Sequence, residues 1–125
     1  MLRVLLVDDD VHVARAIARV LKSRAMVARL ADSVATASAA LIADRFDMVI
    51  CDLALGGDSG LRVLDGLRQR GDLTPFVLVT GSAATDRLGA DGDPRIAAVL
   101  LKPFDVSTLD RVLRDVLDAA RRGGP

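Results

Sequence analysis

Four apolar runs in this chain each end on a residue that can do chemistry. Leu2-Arg3-Val4-Leu5-Leu6-Val7 runs into Asp8-Asp9-Asp10, and Asp47-Met48-Val49-Ile50-Cys51 into Asp52. Phe76-Val77-Leu78-Val79 ends at Thr80, and the run from Ile96 to Leu101 ends at Lys102-Pro103. Adjacent carboxylates raise one another's pKa, so a cluster of them needs a cation or a lysine to stay ionised. Paired acids with a third carboxylate suit a hard divalent cation. Mg²⁺ is the first choice and Mn²⁺ the second, since Mg²⁺ takes one or two carboxylates and keeps several waters. A rigid carboxylate beside such an ion can attack phosphorus and form an aspartyl phosphate. The charge that spreads over the transferred phosphoryl oxygens must then be met by cations and donors. Mg²⁺, Lys102 and the Thr80 hydroxyl would each take one oxygen.

These residues need a scaffold that brings four strand ends together, and 125 residues suffice for one domain with a real core. The 17 basic and 17 acidic residues cancel, which argues against a nucleic-acid-binding module, because phosphate binding needs a basic excess. No apolar stretch reaches the roughly 20 residues of a membrane span. No basic segment with a cleavage site opens the chain, so no signal peptide is read. The lone cysteine, Cys51, reads as a buried, reduced thiol, and a cytoplasmic setting is expected. Every acidic residue is Asp, and Lys22 and Lys102 are the only lysines among many arginines. That bias fits a GC-rich bacterial genome. It also makes a lysine at a strand end conspicuous, since a compact ammonium and a planar guanidinium are not interchangeable.

Strand-like and helix-like periods alternate. Strands are expected at 2–7, 26–31, 47–51, 76–79 and 96–101. A helix over 11–24 would turn Val13, Ala14, Ile17, Val20 and Leu21 inward. A second, capped by Asp32 or Ser33, would run to about Asp44 with Ala37, Ala40 and Leu41 inward. A third opens at Ser59-Gly60 with Leu61, Leu64 and Leu67 inward, and Gly71 ends it. The last, 106–121, places Val106, Leu109, Val112, Leu113, Val116 and Leu117 on one stripe, part of which could extend to a dimer or partner surface. Between 82 and 95, Gly89, Gly92 and Pro94 erode the pattern, so a short or broken fourth helix near 83–89 is expected. The reading is an α/β domain over 1–122 with helices on both faces of a parallel sheet, and 123–125 as a tail or the start of a linker. Right-handed crossovers put all the strand ends listed above on one edge, where ligands of such sheets bind.

Taken in order, Val7-Asp8-Asp9, Asp52-Leu53 with Leu55 and Gly60 at set offsets, Val79-Thr80-Gly81, and Lys102-Pro103-Phe104 resemble the receiver domains of bacterial two-component response regulators. The resemblance covers residues 2–120. It implies a five-stranded sheet in the order 2-1-3-4-5, and Asp52 as acceptor of a phosphoryl group from a phosphohistidine on a sensor histidine kinase or histidine phosphotransfer protein. It implies that Asp9, Asp52 and the backbone carbonyl of Ala54 ligate Mg²⁺, with Asp8 acting mostly through water. Thr80 and Lys102 would grip the phosphoryl group, the Lys102–Pro103 bond would be cis, and Ala54 and Ser82 would tune dephosphorylation. Both tuning residues are small and non-acidic, so a long-lived phosphoryl group is expected. A downstream output protein or fused output domain is implied but not identified.

The chain departs from the family at several points. Leu55-Gly56-Gly57 stands where Met-Pro is common, and the Gly pair is expected to loosen the loop. Val99 replaces the customary aromatic, so a Tyr or Phe rotamer coupled to Thr80 is unavailable. Arg95-Ile96 replaces Gly-Ala. Other residues read as structural: Asp10 as a helix cap, His12 as a surface residue, and Asp91-Gly92-Asp93 as a plain loop without the glutamate of a calcium site. Two alternatives remain. One is an Asp-nucleophile phosphohydrolase of haloacid-dehalogenase type, although those carry Asp-x-Asp-x-Thr on their first strand. The other is a pseudo-receiver that binds partners independently of phosphorylation. The leading reading makes the chain a switch, not an enzyme acting on other substrates.

Overall fold

Val4 to Val7 are all buried, as are all five residues of Met48–Asp52 and of Phe76–Thr80. Continuous burial of this kind marks strands covered on both faces, which parallel sheets require. The computed structural model of the chain describes residues 1–81 and 93–122. Numbering the strands of the main sheet along the chain, β1 is Leu2–Val7, β2 Met26–Ala31, β3 Met48–Asp52, β4 Phe76–Thr80 and β5 Ala98–Leu101. The helices among the described residues are α1 (Val11–Ser23), α2 (Val34–Ala43), α3 (Leu61–Gln69) and α4 (Val106–Arg122). All strand pairs of the sheet are parallel, in the order β2-β1-β3-β4-β5. The expected order is therefore the observed one. The expected fourth helix near 83–89 lies outside the described residues, as do Ser82 and the tail at 123–125.

Alternation along the strands builds two cores. Leu5, Val7, Val49, Cys51, Phe76 and Leu78 face α2 and α3, where Ala37, Ala40, Leu41, Leu64 and Leu67 cover them. Val4, Leu6, Met48, Ile50, Val77 and Val79 face α1 and α4 and pack on Ala14, Ile17, Leu21, Leu109, Leu113 and Val116. Burying such side chains contributes about 1.5–3 kcal/mol each before entropy is counted. Three strands depart from their expected bounds, and β4 runs one residue further to Thr80, which pairs with Leu101. β3 begins one residue later and includes Asp52, because Asp52 pairs with Val79; β5 begins at Ala98, since Ile96 donates to Asp93 in a turn instead. Val106 is 51% exposed: it sits at the start of α4, so the inward stripe begins at Leu109. Val63, unforeseen, is buried on α3.

Caps set the helix starts. Asp10 accepts from the backbone N–H groups of His12 and Val13. Ser33 and Thr36 form a reciprocal capping box, a device whose N-cap side chain is worth about 1 kcal/mol. No helix among the described residues is long and apolar enough to cross a membrane.

Candidate functional site

The carboxyl ends of β1, β3, β4 and β5 converge because the sheet is parallel. Asp8 follows β1, Asp52 ends β3, Thr80 ends β4 and Lys102 follows β5. Asp8, Asp52 and Thr80 are 5%, 7% and 2% exposed; Asp9 is exposed. One carboxylate oxygen from each of Asp8, Asp9 and Asp52 lies within 4.8 Å of the others. Three hard oxygen donors at that spacing fit a divalent cation of the Mg²⁺ class.

Lys102 closes the group. Its Nζ lies 2.6 Å from Asp52 Oδ2 and 3.6 Å from Asp8 Oδ2. Its backbone N–H donates to the Thr80 carbonyl at 2.8 Å, tying the β5 terminus to β4. Burial works against the ammonium, but the hydrogen bond and charge of Asp52, with help from Asp8, outweigh it and raise the Lys102 pKa. Burial is also the main reason the Asp8 carboxyl is raised, with Asp52 and Asp9 adding to it. The Asp10 N–H on its oxygen and the Lys102 charge pull the other way. The sequence argument that clustered carboxylates need a lysine or a metal thus has a physical counterpart, with desolvation as the larger part.

Asp52 Oδ1 accepts from the Ala54 N–H at 3.2 Å, so the loop after Asp52 bonds back to it. That loop is a hairpin: Ala54 and Leu55 pair with Ser59 and Asp58, and Gly56 and Gly57 make the two-residue connection. Their φ values are +54° and +90°, the signs of the tight turn that suits a two-residue hairpin. The glycine pair therefore closes a two-residue turn. Such a turn needs positive φ at both positions, which glycine adopts without strain.

Gly60 has a role that spacing alone did not reveal. A Cβ there would sit 2.1 Å from the Asp52 carbonyl oxygen and 2.9 Å from Cys51 Sγ. The start of α3 thus lies directly against the Asp52 backbone, and the Gly60 N–H donates to Leu53 O at 2.7 Å. Cys51 is fully buried, and burial pushes its thiol pKa up strongly, so it packs and does not react. Lys102–Pro103 is cis, as expected. Val99 is half-buried against the core under α2 and α3. His12 is exposed, in keeping with a surface role.

By sequence alone Arg95 is a departure from the family. The structure gives it partners: its guanidinium bonds Asp93 and Asp65, and the Arg68 guanidinium bonds the Arg95 carbonyl. Charge pattern alone could have suggested Asp65 and Arg68 as neighbours on α3, three apart, but not their contact with residues near 95.

Comparison with known proteins agrees with this geometry. A family model, the response regulator receiver domain, matches residues 4–114. Response regulator protein PmrA of Pseudomonas aeruginosa is 33% identical over 114 residues, covering 90% of this chain and 51% of the relative. Acid tolerance regulatory protein ActR of Sinorhizobium medicae is 33% identical over 113 residues, covering 79% and 58%. The chain therefore spans little more than half the length of these relatives. Among solved structures, a CheY-like response regulator receiver domain protein from Methanospirillum hungatei superposes with TM-score 0.88 at 21% identity, covering 99% of each chain. The response regulator protein TrrA from Thermotoga maritima, in complex with Mg(2+)-BeF, gives 0.83 at 21%, covering 94% of this chain and all of the other. At such identities these two share the fold.

Proposed function

The chain belongs to the response regulator receiver domain family, and from that premise we propose that Asp52 accepts a phosphoryl group from a phosphohistidine in a Mg²⁺-dependent reaction. The observation that carries the proposal is the Lys102 ammonium 2.6 Å from Asp52 Oδ2, with the three carboxylate oxygens of Asp8, Asp9 and Asp52 beside it. A lone buried aspartate needs no such company.

Each Asp52 oxygen accepts one hydrogen bond in the resting site and keeps a further lone-pair direction free. One of them attacks phosphorus. The P–N bond of the phosphohistidine breaks, its electron pair returns to the imidazole, and a new P–O bond leaves Asp52 as an acyl phosphate. Lys102 follows the charge from the carboxylate to the phosphoryl oxygens, and the Thr80 hydroxyl serves as a neutral donor. Asp9, Asp52 and the Ala54 carbonyl would hold the Mg²⁺, with Asp8 acting mostly through water, and the bound ion would supply neutralisation of phosphoryl charge. Hydrolysis returns the site to its start: water attacks phosphorus, the P–O bond to Asp52 breaks, and phosphate leaves. The donor protein would be a sensor histidine kinase or a histidine phosphotransfer protein. The chain's own turnover is limited to its own phosphorylation and dephosphorylation. Phosphorylation then biases the domain between two surfaces, as in any population shift.

Incubation with acetyl phosphate, followed by intact mass, tests this. The expected result is gain of one phosphoryl group that requires Mg²⁺ and is absent in Asp52→Ala. No gain from acetyl phosphate or from a phosphorylated histidine phosphotransfer domain would sink the proposal and favour a phosphorylation-independent binding role.

A further inference from the structure

Lys102 hangs from the shortest strand of the sheet. β5 has four residues, pairs with β4 alone among the described residues and is buried in full at Leu100 alone. Its near end is fixed by the Lys102 N–H on Thr80 O and its far end by the Ala97 N–H on Phe76 O, both at 2.8 Å. A strand so short holds its register poorly by ladder bonds alone, because register is strongly specified only where a buried face demands it.

Beyond Ala97, two arginines grip the chain. Arg95 forks onto Asp93, with Nη2 2.9 Å from Oδ2 and Nε 3.1 Å from Oδ1, and its Nη1 reaches Asp65 Oδ1 on α3 at 2.8 Å. Arg68, one turn along α3, donates Nη2 to the Arg95 carbonyl at 3.0 Å, and Nη1 to the carbonyls of Asp72 and Thr74 at 2.7 and 3.1 Å. The opposite end of α3 abuts the acceptor, where Gly60 leaves no room for a side chain beside the Asp52 carbonyl. One helix thus touches the acceptor at its start and holds the approach to the lysine's strand near its end.

We propose that Arg68 and Arg95 are positioning residues: through α3 they hold β5, and so Lys102, at the distance from Asp52 that phosphoryl transfer needs. The proposal rests on the phosphoryl-transfer reading above. The Arg95–Asp65 pair is well exposed on both sides, and pairs of that kind add little to global stability. The Arg95 fork onto Asp93, its single contact with Asp65 and the Arg68 bond to the Arg95 carbonyl fix direction instead, so the effect of breaking them is local to β5.

Arg95→Ala and Asp65→Asn, singly and together, test this in chains with and without Lys102→Met. Arg68→Ala is the harsher companion, since it strips three carbonyls of a donor. With acetyl phosphate and saturating Mg²⁺, the initial phosphorylation rate should fall about three- to tenfold, the scale of losing one ordinary hydrogen bond. In the Lys102→Met chain the same substitutions should cost nothing further. Amide hydrogen exchange should speed up about tenfold in β5 and at Lys102 while β1 and β3 stay as slow as before, the signature of local opening. Unchanged rates, an equal loss in the Lys102→Met chain, or exchange rising alike in all strands would each overturn the proposal. If the unaltered chain takes up no phosphoryl group, the functional reading fails separately. The exchange pattern still decides the clasp: selective loosening of β5 supports it and uniform loosening rejects it.

Discussion

Asp8 is the residue whose charge is least at home in the fold. It is buried behind the exposed Asp9, faces Asp52 and has Lys102 at 3.6 Å, yet desolvation leaves its carboxyl above the usual range. An acid whose folded pKa is raised contributes stability that is fully present below its unfolded value and lost as pH rises through its folded value. The ionised Asp8 is therefore a cost near neutrality. Asp8→Asn keeps the oxygen that accepts the Asp10 N–H and removes the charge. In metal-free protein, denaturant titration should find Asp8→Asn more stable than the unaltered chain at pH 7. The gap should shrink on acidification and vanish below about pH 4, the ordinary carboxylate range. An Asn variant no more stable at pH 7 would show that Lys102 fully offsets the burial. Asp72 has the opposite sign. Burial raises it, but the Thr74 hydroxyl and N–H outweigh that and lower it, so its contribution is lost as pH falls.

At the scale of elements, the join between the loop after Asp52 and α3 controls placement. The hairpin at 54–59 returns the chain so closely that the first turn of α3 lies on the Asp52 carbonyl. The obstructing atom is backbone, which cannot swing aside. Gly60→Ala should therefore cost at the upper end of the about 1–3 kcal/mol typical of overpacking and slow phosphorylation with it. Gly66 lies inside the same helix, where an added Cβ meets only the Arg70 guanidinium at 3.8 Å. Gly66→Ala should gain about 0.5–1 kcal/mol through helix propensity and leave the site alone. Chemical denaturation of the two variants checks this, and equal effects would remove the special role of Gly60.

Across the whole molecule, the two cores make a slab that presents three carboxylates beside Lys102 at one edge. A ligand that binds only the folded state stabilises it by mass action, by about 2.7 kcal/mol at a hundred times its Kd. Mg²⁺ should raise the thermal midpoint followed by circular dichroism, chelation should reverse the rise, and Asp9→Asn should abolish it. Because Asp9 is exposed, that variant should melt like the parent without Mg²⁺, so the readout isolates the cation. A midpoint insensitive to Mg²⁺ would remove the cation from the site.

The sequence by itself determined the strands and their four chemically active ends, through short-range patterns: apolar runs of strand length, helical spacing between them, and the handedness that puts parallel strand ends on one edge. The order of the strands was legible only through the family that the motifs at those ends resemble. Asp8, Asp52, Thr80 and Lys102 were legible because each directly follows or ends such a run. Only the tertiary structure decided what lies between distant segments. The pairing of Arg95 with Asp65, the grip of Arg68 on the Arg95 carbonyl and the contact of Gly60 with Asp52 all join residues whose separation along the chain carries no periodic signal. The same holds for the Gly56-Gly57 turn: two glycines read as slack in a sequence, and become a tight hairpin only when Ala54 and Leu55 find Ser59 and Asp58 to pair with.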